Sequence, residues 1–181
     1  MSQPVARTLA IAVGLGLACG CTPAQVLYQP VAAPAAATDP ADATLFLVGD
    51  AGEVNPHSTA VLAHLSENIA SIVGGGAAQP VIVAFLGDNI YEVGARVDNE
   101  QADRAILDAQ VAALGRLPGV RGVFIPGNHD WSKGGADEQG RLAVRVQQDW
   151  LGRLGGDRDV DLLPADACPG PAALEVGPSV R

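Results

Sequence analysis

Three short strings constrain the fold of this chain more than anything else in it, because each ends an apolar run with glycine and a ligand-type side chain. They are Val48-Gly49-Asp50-Ala51-Gly52, Leu86-Gly87-Asp88-Asn89-Ile90-Tyr91 and Pro126-Gly127-Asn128-His129-Asp130. Asp50, Asp88 and Asn128 stand 38 and 40 residues apart, about the length of one strand–helix–strand unit of roughly thirty-odd residues. Thr44–Val48, Val81–Leu86 and Gly122–Ile125 are short continuous apolar runs, the pattern of strands buried on both faces.

Between the runs, apolar residues recur at helical spacing. Ser58 is placed to cap a first helix whose inner face is Val61, Leu65, Ile69 and Ile72, ended by Gly74-Gly75-Gly76. A second helix is expected over Glu100–Leu117, with Leu107, Val111 and Leu114 inward and Pro118-Gly119 as its stop. A third is expected over Asp137–Leu154, with Leu142, Val146 and Trp150 inward. This alternation predicts an α/β fold with a mainly parallel sheet and helices on both faces. Ligands bind such sheets beyond the carboxyl ends of the strands, so all three strings would meet at one edge.

The N-terminus reads as a targeting segment rather than as fold. Leu9–Ala18 is apolar, too short to span a bilayer, and leads into Ala18-Cys19-Gly20-Cys21. Residues 1–21 resemble a bacterial lipoprotein signal, with Cys21 the favoured acylation site and Cys19 the alternative. Residues 22–43 are rich in Ala and Pro and read as an extended linker, leaving 44–181 as the folded domain. The expected location is therefore exported, periplasmic or at the cell surface, held to the membrane by a lipid anchor. Cys168 has no evident partner, so no disulfide framework follows.

Aromatic residues are 4% of the 181, so the core must be built from Ala, Val, Leu and Ile. A formal net charge of −9 argues against nucleic-acid binding, which needs a basic face. It does not argue against an anionic small substrate, because a bound cation reverses the local field.

Asp50, Asp88, Tyr91 and Asn128 offer carboxylate, phenol and amide oxygens, hard donors suited to Fe(III), Mn or Mg. A carboxylate at the end of a central strand can bridge two cations, and Asp88 is central in sequence. Two such ions would clamp the attacking and leaving oxygens of an in-line displacement. His129, next to Asn128, is placed to give a proton to a leaving oxygen or to bind the substrate anion.

In order and spacing, Asp-x-Gly, Gly-Asp-x-x-Tyr and Gly-Asn-His-Asp resemble the first three motifs of the calcineurin-like metallophosphoesterases, and most closely the purple acid phosphatase branch. The wider superfamily more often has Asp-x-His first; here Gly52 stands in that place and Tyr91 is present in the second motif. The resemblance implies a four-layer αββα sandwich of two sheets with helices outside. It implies Asp50 and Tyr91 on a ferric ion, Asp88 bridging, Asn128 on a second, divalent ion (Fe, Zn or Mn), and His129 assisting catalysis. The implied reaction is hydrolysis of a small phosphate mono- or diester by a metal-bound hydroxide.

The resemblance covers about Leu45–Trp131. The family's later motifs, a lone His and a Gly-His-x-His, have no match, since the remaining histidines, His57 and His64, precede the second strand. The chain therefore reads as the N-terminal part of such a domain, incomplete at its C-terminus. A catalytically inactive fragment or lipoprotein surface module is the rival reading. Asp130 is expected to support the ligands by hydrogen bonding, and His64 to lie on a helix surface. His57 follows the first motif closely enough to line the mouth of a pocket. Asp157-x-Asp159-x-Asp161 is expected to be solvated loop, and nothing selects Arg96 or Lys133 as substrate contacts.

Overall fold

The computed structural model describes residues 41–76, 79–156 and 158–176, all within one compact unit, Ala37–Arg181. The signal reading of 1–21, Cys19, Cys21 and the linker up to residue 40 lie outside the described residues. Four strands alternate with three helices: β1 (Thr44–Val48), α1 (Pro56–Gly74), β2 (Val81–Phe85), α2 (Glu100–Ala113), β3 (Val120–Phe124), α3 (Glu138–Gly155) and β4 (Asp159–Leu162). The strands form one parallel sheet in the order β1-β2-β3-β4. The α/β class and the parallel sheet agree with the sequence.

The helices do not lie on both faces as the alternation predicts. Right-handed crossovers between strands laid down in sequential order put every helix on the same side. Phe46, Val48, Val81, Val83, Phe85, Val120, Phe124 and Leu162 share one core with Leu65, Ile69, Leu107, Val111, Leu114, Val144, Trp150 and Leu151 from the three helices. Phe85 and Phe124, paired in register, stack at its centre with ring centroids 4.4 Å apart. Each fully buried Leu or Phe here contributes about 1.5–3 kcal/mol relative to exposure.

The opposite face is also apolar, carrying Leu45, Leu47, Ile82, Ala84 and Val123, and none of these belongs to the helix-covered core. β1 is thus not buried on both faces, as its apolar run suggested: it is an edge strand, with Leu45 49% and Leu47 63% exposed. Arg121 on this face pairs with Asp159 and Asp161 of β4. Those two aspartates therefore stand on a strand and not in a solvated loop; Asp157 is outside the described residues.

The helix caps correct two further expectations. Asn55 rather than Ser58 is the N-cap of α1: its side chain accepts from the His57 and Ser58 amides, and Ser58 Oγ accepts from Asn55 N, with Pro56 in the first turn. α2 ends at Ala113, short of Leu117, because Gly115 turns into the left-handed region at φ 68°. Asp137 caps α3 by accepting from Gly140 N at 2.8 Å. Val61 and Leu142, expected on inner helix faces, are instead 57% and 58% exposed. On α3 the buried stripe is Ala143, Val144, Gln147, Trp150 and Leu151, one position round from the Leu142 row. Among the described residues no helix is long and apolar enough to cross a membrane.

Candidate metal centre

Because β1, β2 and β3 are adjacent and parallel, the three strings emerge side by side at their carboxyl ends. The ladder continues beyond the strands: Leu86 N donates to Val48 O at 2.7 Å, Ile125 N to Phe85 O at 2.9 Å, and Asp50 N to Gly87 O at 3.2 Å. Asp50 and Asp88 both adopt left-handed backbone, φ 56° and 52°. Aspartate tolerates that region better than most residues, yet each such position costs about 1 kcal/mol or more and recurs at functional sites.

Three glycines allow the tips to interlock. A Cβ on Gly52 would fall 2.7 Å from the Asn89 carbonyl carbon and Ile90 nitrogen, and one on Gly87 2.8 Å from Gly127 Cα. A Cβ on Gly127 would overlap Asp88 itself. Gly52 therefore stands in the first string because the second string passes directly over it. Tyr91 N seals the approach by donating to Gly52 O at 3.1 Å.

This packing brings three oxygens together. Tyr91 Oη lies 2.7 Å from Asp50 Oδ1 and 3.1 Å from Asp88 Oδ2. A phenol has one proton to share between two carboxylates. Its hydrogen bond to Asp50 comes first, then burial and Asp88, in holding its pKa above the ordinary tyrosine value. The cluster is thus a concentration of negative charge and lone pairs with a single proton inside it. These hard donors fit one hard cation.

His129 sits against the same cluster. Its backbone N–H donates to Asp88 Oδ1 at 3.1 Å, and its ring meets the Tyr91 ring edge-on at 4.5 Å. Nδ1 is 2.6 Å from the Glu92 carbonyl oxygen, which can only accept, so Nδ1 carries a proton and Nε2 is the nitrogen left for other chemistry. Asn128 is exposed on the same loop, and among the described residues its side chain makes no hydrogen bond to the three oxygens. The structure therefore unites Asp50, Asp88, Tyr91 and His129 and leaves Asn128 beside them. Among the described residues no three Asp, Glu, His or Cys side chains gather as a metal group, so Tyr91 is needed as the third donor. The described residues do not close a second ion position.

Asp130 binds the tips from behind. It is fully buried and accepts from the amides of Gly127 at 2.8 Å, Asn89 at 3.0 Å and Ile90 at 3.1 Å. Burial pushes its carboxyl up to about 6 against the opposing pull of those three N–H donors. Its expected supporting role fits this geometry. Three buried amides surround this region and were not singled out in the sequence: Asn89, Gln110 and Gln147. Gln147 Nε2 reaches Asp130 Oδ1 at 3.4 Å, while Gln110 Nε2 donates to Asn89 O at 2.8 Å and Ala51 O at 3.2 Å. The signal for both glutamines was a polar residue on an apolar helical stripe: Gln110 lies within Leu107–Val111–Leu114, and Gln147 between Val144 and Trp150.

Arg96, Lys133 and His64 make ion pairs with acidic neighbours. Arg96 donates through Nε and Nη2 to the buried Asp103 at 3.1 and 3.0 Å. Lys133 faces Glu92 at 3.4 Å. His64 pairs with Glu67 on the exposed side of α1, and His57 is exposed in its first turn. Cys168 is free and exposed. A cleft of about 240 Å³ between α1 and α2 is lined mainly by alkyl groups and Ser or Thr hydroxyls, with Glu53 as its one acid.

By fold and site, this is an α/β protein with an oxygen-rich cluster at the carboxyl edge of a single parallel sheet. It matches no family model, no curated protein and no solved structure.

Proposed function

We propose that the chain is a metal-dependent phosphoesterase of the calcineurin-like, purple acid phosphatase-like kind, acting on small phosphate mono- or diesters. The observation that carries this reading is Tyr91 Oη lying between Asp50 Oδ1 and Asp88 Oδ2. It joins residues from two separate strings in a donor set that suits Fe(III) first, and in this proposal Asp88 and Asn128 are assigned to a second, divalent ion. Bound metal would supply Lewis acidity at the phosphoryl oxygens and activate water. His129, oriented by Glu92 O, Tyr91 and Asp88, is the group placed to bind the phosphate or pass a proton to the leaving oxygen.

Leu45 and Leu47, exposed at the β1 edge of the apolar face turned away from the helices, support the four-layer arrangement, since a second sheet packed there would cover them. Export and lipid anchoring through Cys21 rest on residues 1–21 alone. The rival reading, a non-catalytic surface module, is favoured by one observation: among the described residues no three Asp, Glu, His or Cys side chains gather as a metal group, so the donors for two ions are not assembled.

Hydrolysis of 4-nitrophenyl phosphate separates the two readings. With Fe or Mn present, the chain is expected to turn over, and Asp88→Asn to lower kcat/KM by at least about a hundredfold, or about 2.7 kcal/mol of transition-state stabilisation. A metal-independent rate, or one unchanged in Asp88→Asn, removes the phosphoesterase reading. Tight metal binding without turnover favours the surface module.

A further inference from the structure

We propose that Gln110 is a positioning residue, whose side-chain amide locks the Asp50 and Asp88 tips into one register for a shared cation. The inference rests on the metal-centre reading and extends it to a residue outside all three strings. Gln110 comes from the last turn of α2, is fully buried, and sends both Nε2 hydrogens into the strand tips. One goes to Ala51 O at 3.2 Å and the other to Asn89 O at 2.8 Å. Each of those carbonyls belongs to the residue immediately after a candidate ligand, Asp50 in one case and Asp88 in the other. A single planar amide therefore fixes the separation of two peptide units that each lie one residue beyond a carboxylate-bearing position.

The geometry also shows what Gln110 gives up. Its Oε1 is buried and has no hydrogen-bond partner among the described residues. A leucine or methionine would fill the same stripe between Leu107 and Val111 without an orphaned oxygen. Buried polar groups without partners are uncommon in folded proteins. The amide is kept where the two loop carbonyls, lying beyond the sheet ladder, need donors from the helix layer. The other ties between these tips, the backbone bonds of Asp50 N to Gly87 O and Tyr91 N to Gly52 O and the Tyr91 Oη–Asp50 Oδ1 bond, run within the edge itself and do not anchor it to the helices.

The test uses the full chain with Mn²⁺ as the probe. Gln110→Met keeps the length and removes both donors. Val111→Ala, one residue away and fully buried, destabilises the same helix without touching the tips. Gln110→Met is expected to weaken Mn²⁺ binding by about 10–100-fold, the range seen when groups supporting ligands are lost. It should also speed hydrogen exchange at the Asp50 and Tyr91 amides by at least tenfold relative to amides of α1. Val111→Ala should lower the unfolding temperature while leaving both readouts within about twofold of the parent. If Gln110→Met does not fold, Gln110→Asn carries the same readouts, since its shorter amide cannot reach both carbonyls. Unchanged Mn²⁺ affinity and unchanged local exchange in a folded Gln110 variant overturn the proposal, as does an equal effect from Val111→Ala. If the parent binds no Mn²⁺ but the exchange effect appears, the metal reading fails and the locking role stands.

Discussion

Replacing Asp130 with alanine is expected to lower the stability of the fold by about 4 kcal/mol, as much as truncating a large core side chain on the helix layer. The reason is the number of donors that converge on one carboxylate. The amides of Gly127, Asn89 and Ile90 all point at it from within 3.1 Å, in a place with no solvent access. Each backbone N–H left without an acceptor costs about 1–3 kcal/mol when buried. Part of that loss is offset, because burial already works against the ionised carboxyl and pushes it up to about 6. Asp130→Asn is expected to be milder, since it keeps one oxygen and orphans fewer donors. A urea titration checks the order: parent most stable, Asn intermediate, Ala least, with unchanged m-values. Equal midpoints for the three proteins would show that Asp130 does not tie the second and third strings together.

Gly52→Ala is expected to be nearly as damaging, at about 3 kcal/mol or more, although it adds only a methyl group. A Cβ there meets the Asp88 carbonyl oxygen, the Asn89 carbonyl carbon and the Ile90 nitrogen. All three are backbone atoms of one segment, held in place by Asp130, so no side chain can swing away to make room. Overpacking of this kind costs about 1–3 kcal/mol where neighbours can adjust, and more where they cannot. The same overlap predicts that Gly52→His, which would create the Asp-x-His pattern, disrupts the tips rather than adding a ligand. Thermal unfolding of both variants checks this. A histidine variant as stable as the parent would mean that the second string can retreat from the first, contrary to the close packing of Gly52, Gly87 and Gly127.

The two variants also bear on what could be read from the sequence. The unbroken apolar run of β2 announces a buried strand because neighbours cover it on both sides. β1 carries the same kind of run, yet Leu47 is 63% exposed. Composition cannot say on which side the crossovers fall, and that choice is made by strand order. On α3 apolar residues occupy two adjacent helical rows, so Leu142 and Val144 compete for the inward position, and packing around Trp150 decides it. Asp159-Val160-Asp161-Leu162 alternates polar and apolar with period two, a strand signal that the run of acids obscured. The strand-tip ligands were legible because glycine and acid recur at the same place in three units. Gln110 and Gln147 were not, because a buried amide inside an apolar stripe acquires its meaning from backbone carbonyls that only the tertiary fold brings within reach.

One cation site across two strings, built by Asp50, Asp88 and Tyr91, is what the proposed function requires. It is tested most directly by loading the full chain with Fe(III) and recording its visible spectrum beside that of Tyr91→Phe. A phenolate bound to Fe(III) absorbs in the visible, so the parent is expected to show a charge-transfer band that Tyr91→Phe lacks while retaining weaker iron binding through its carboxylates. Iron bound by the parent with no such band, or an identical band in both proteins, would contradict the claim.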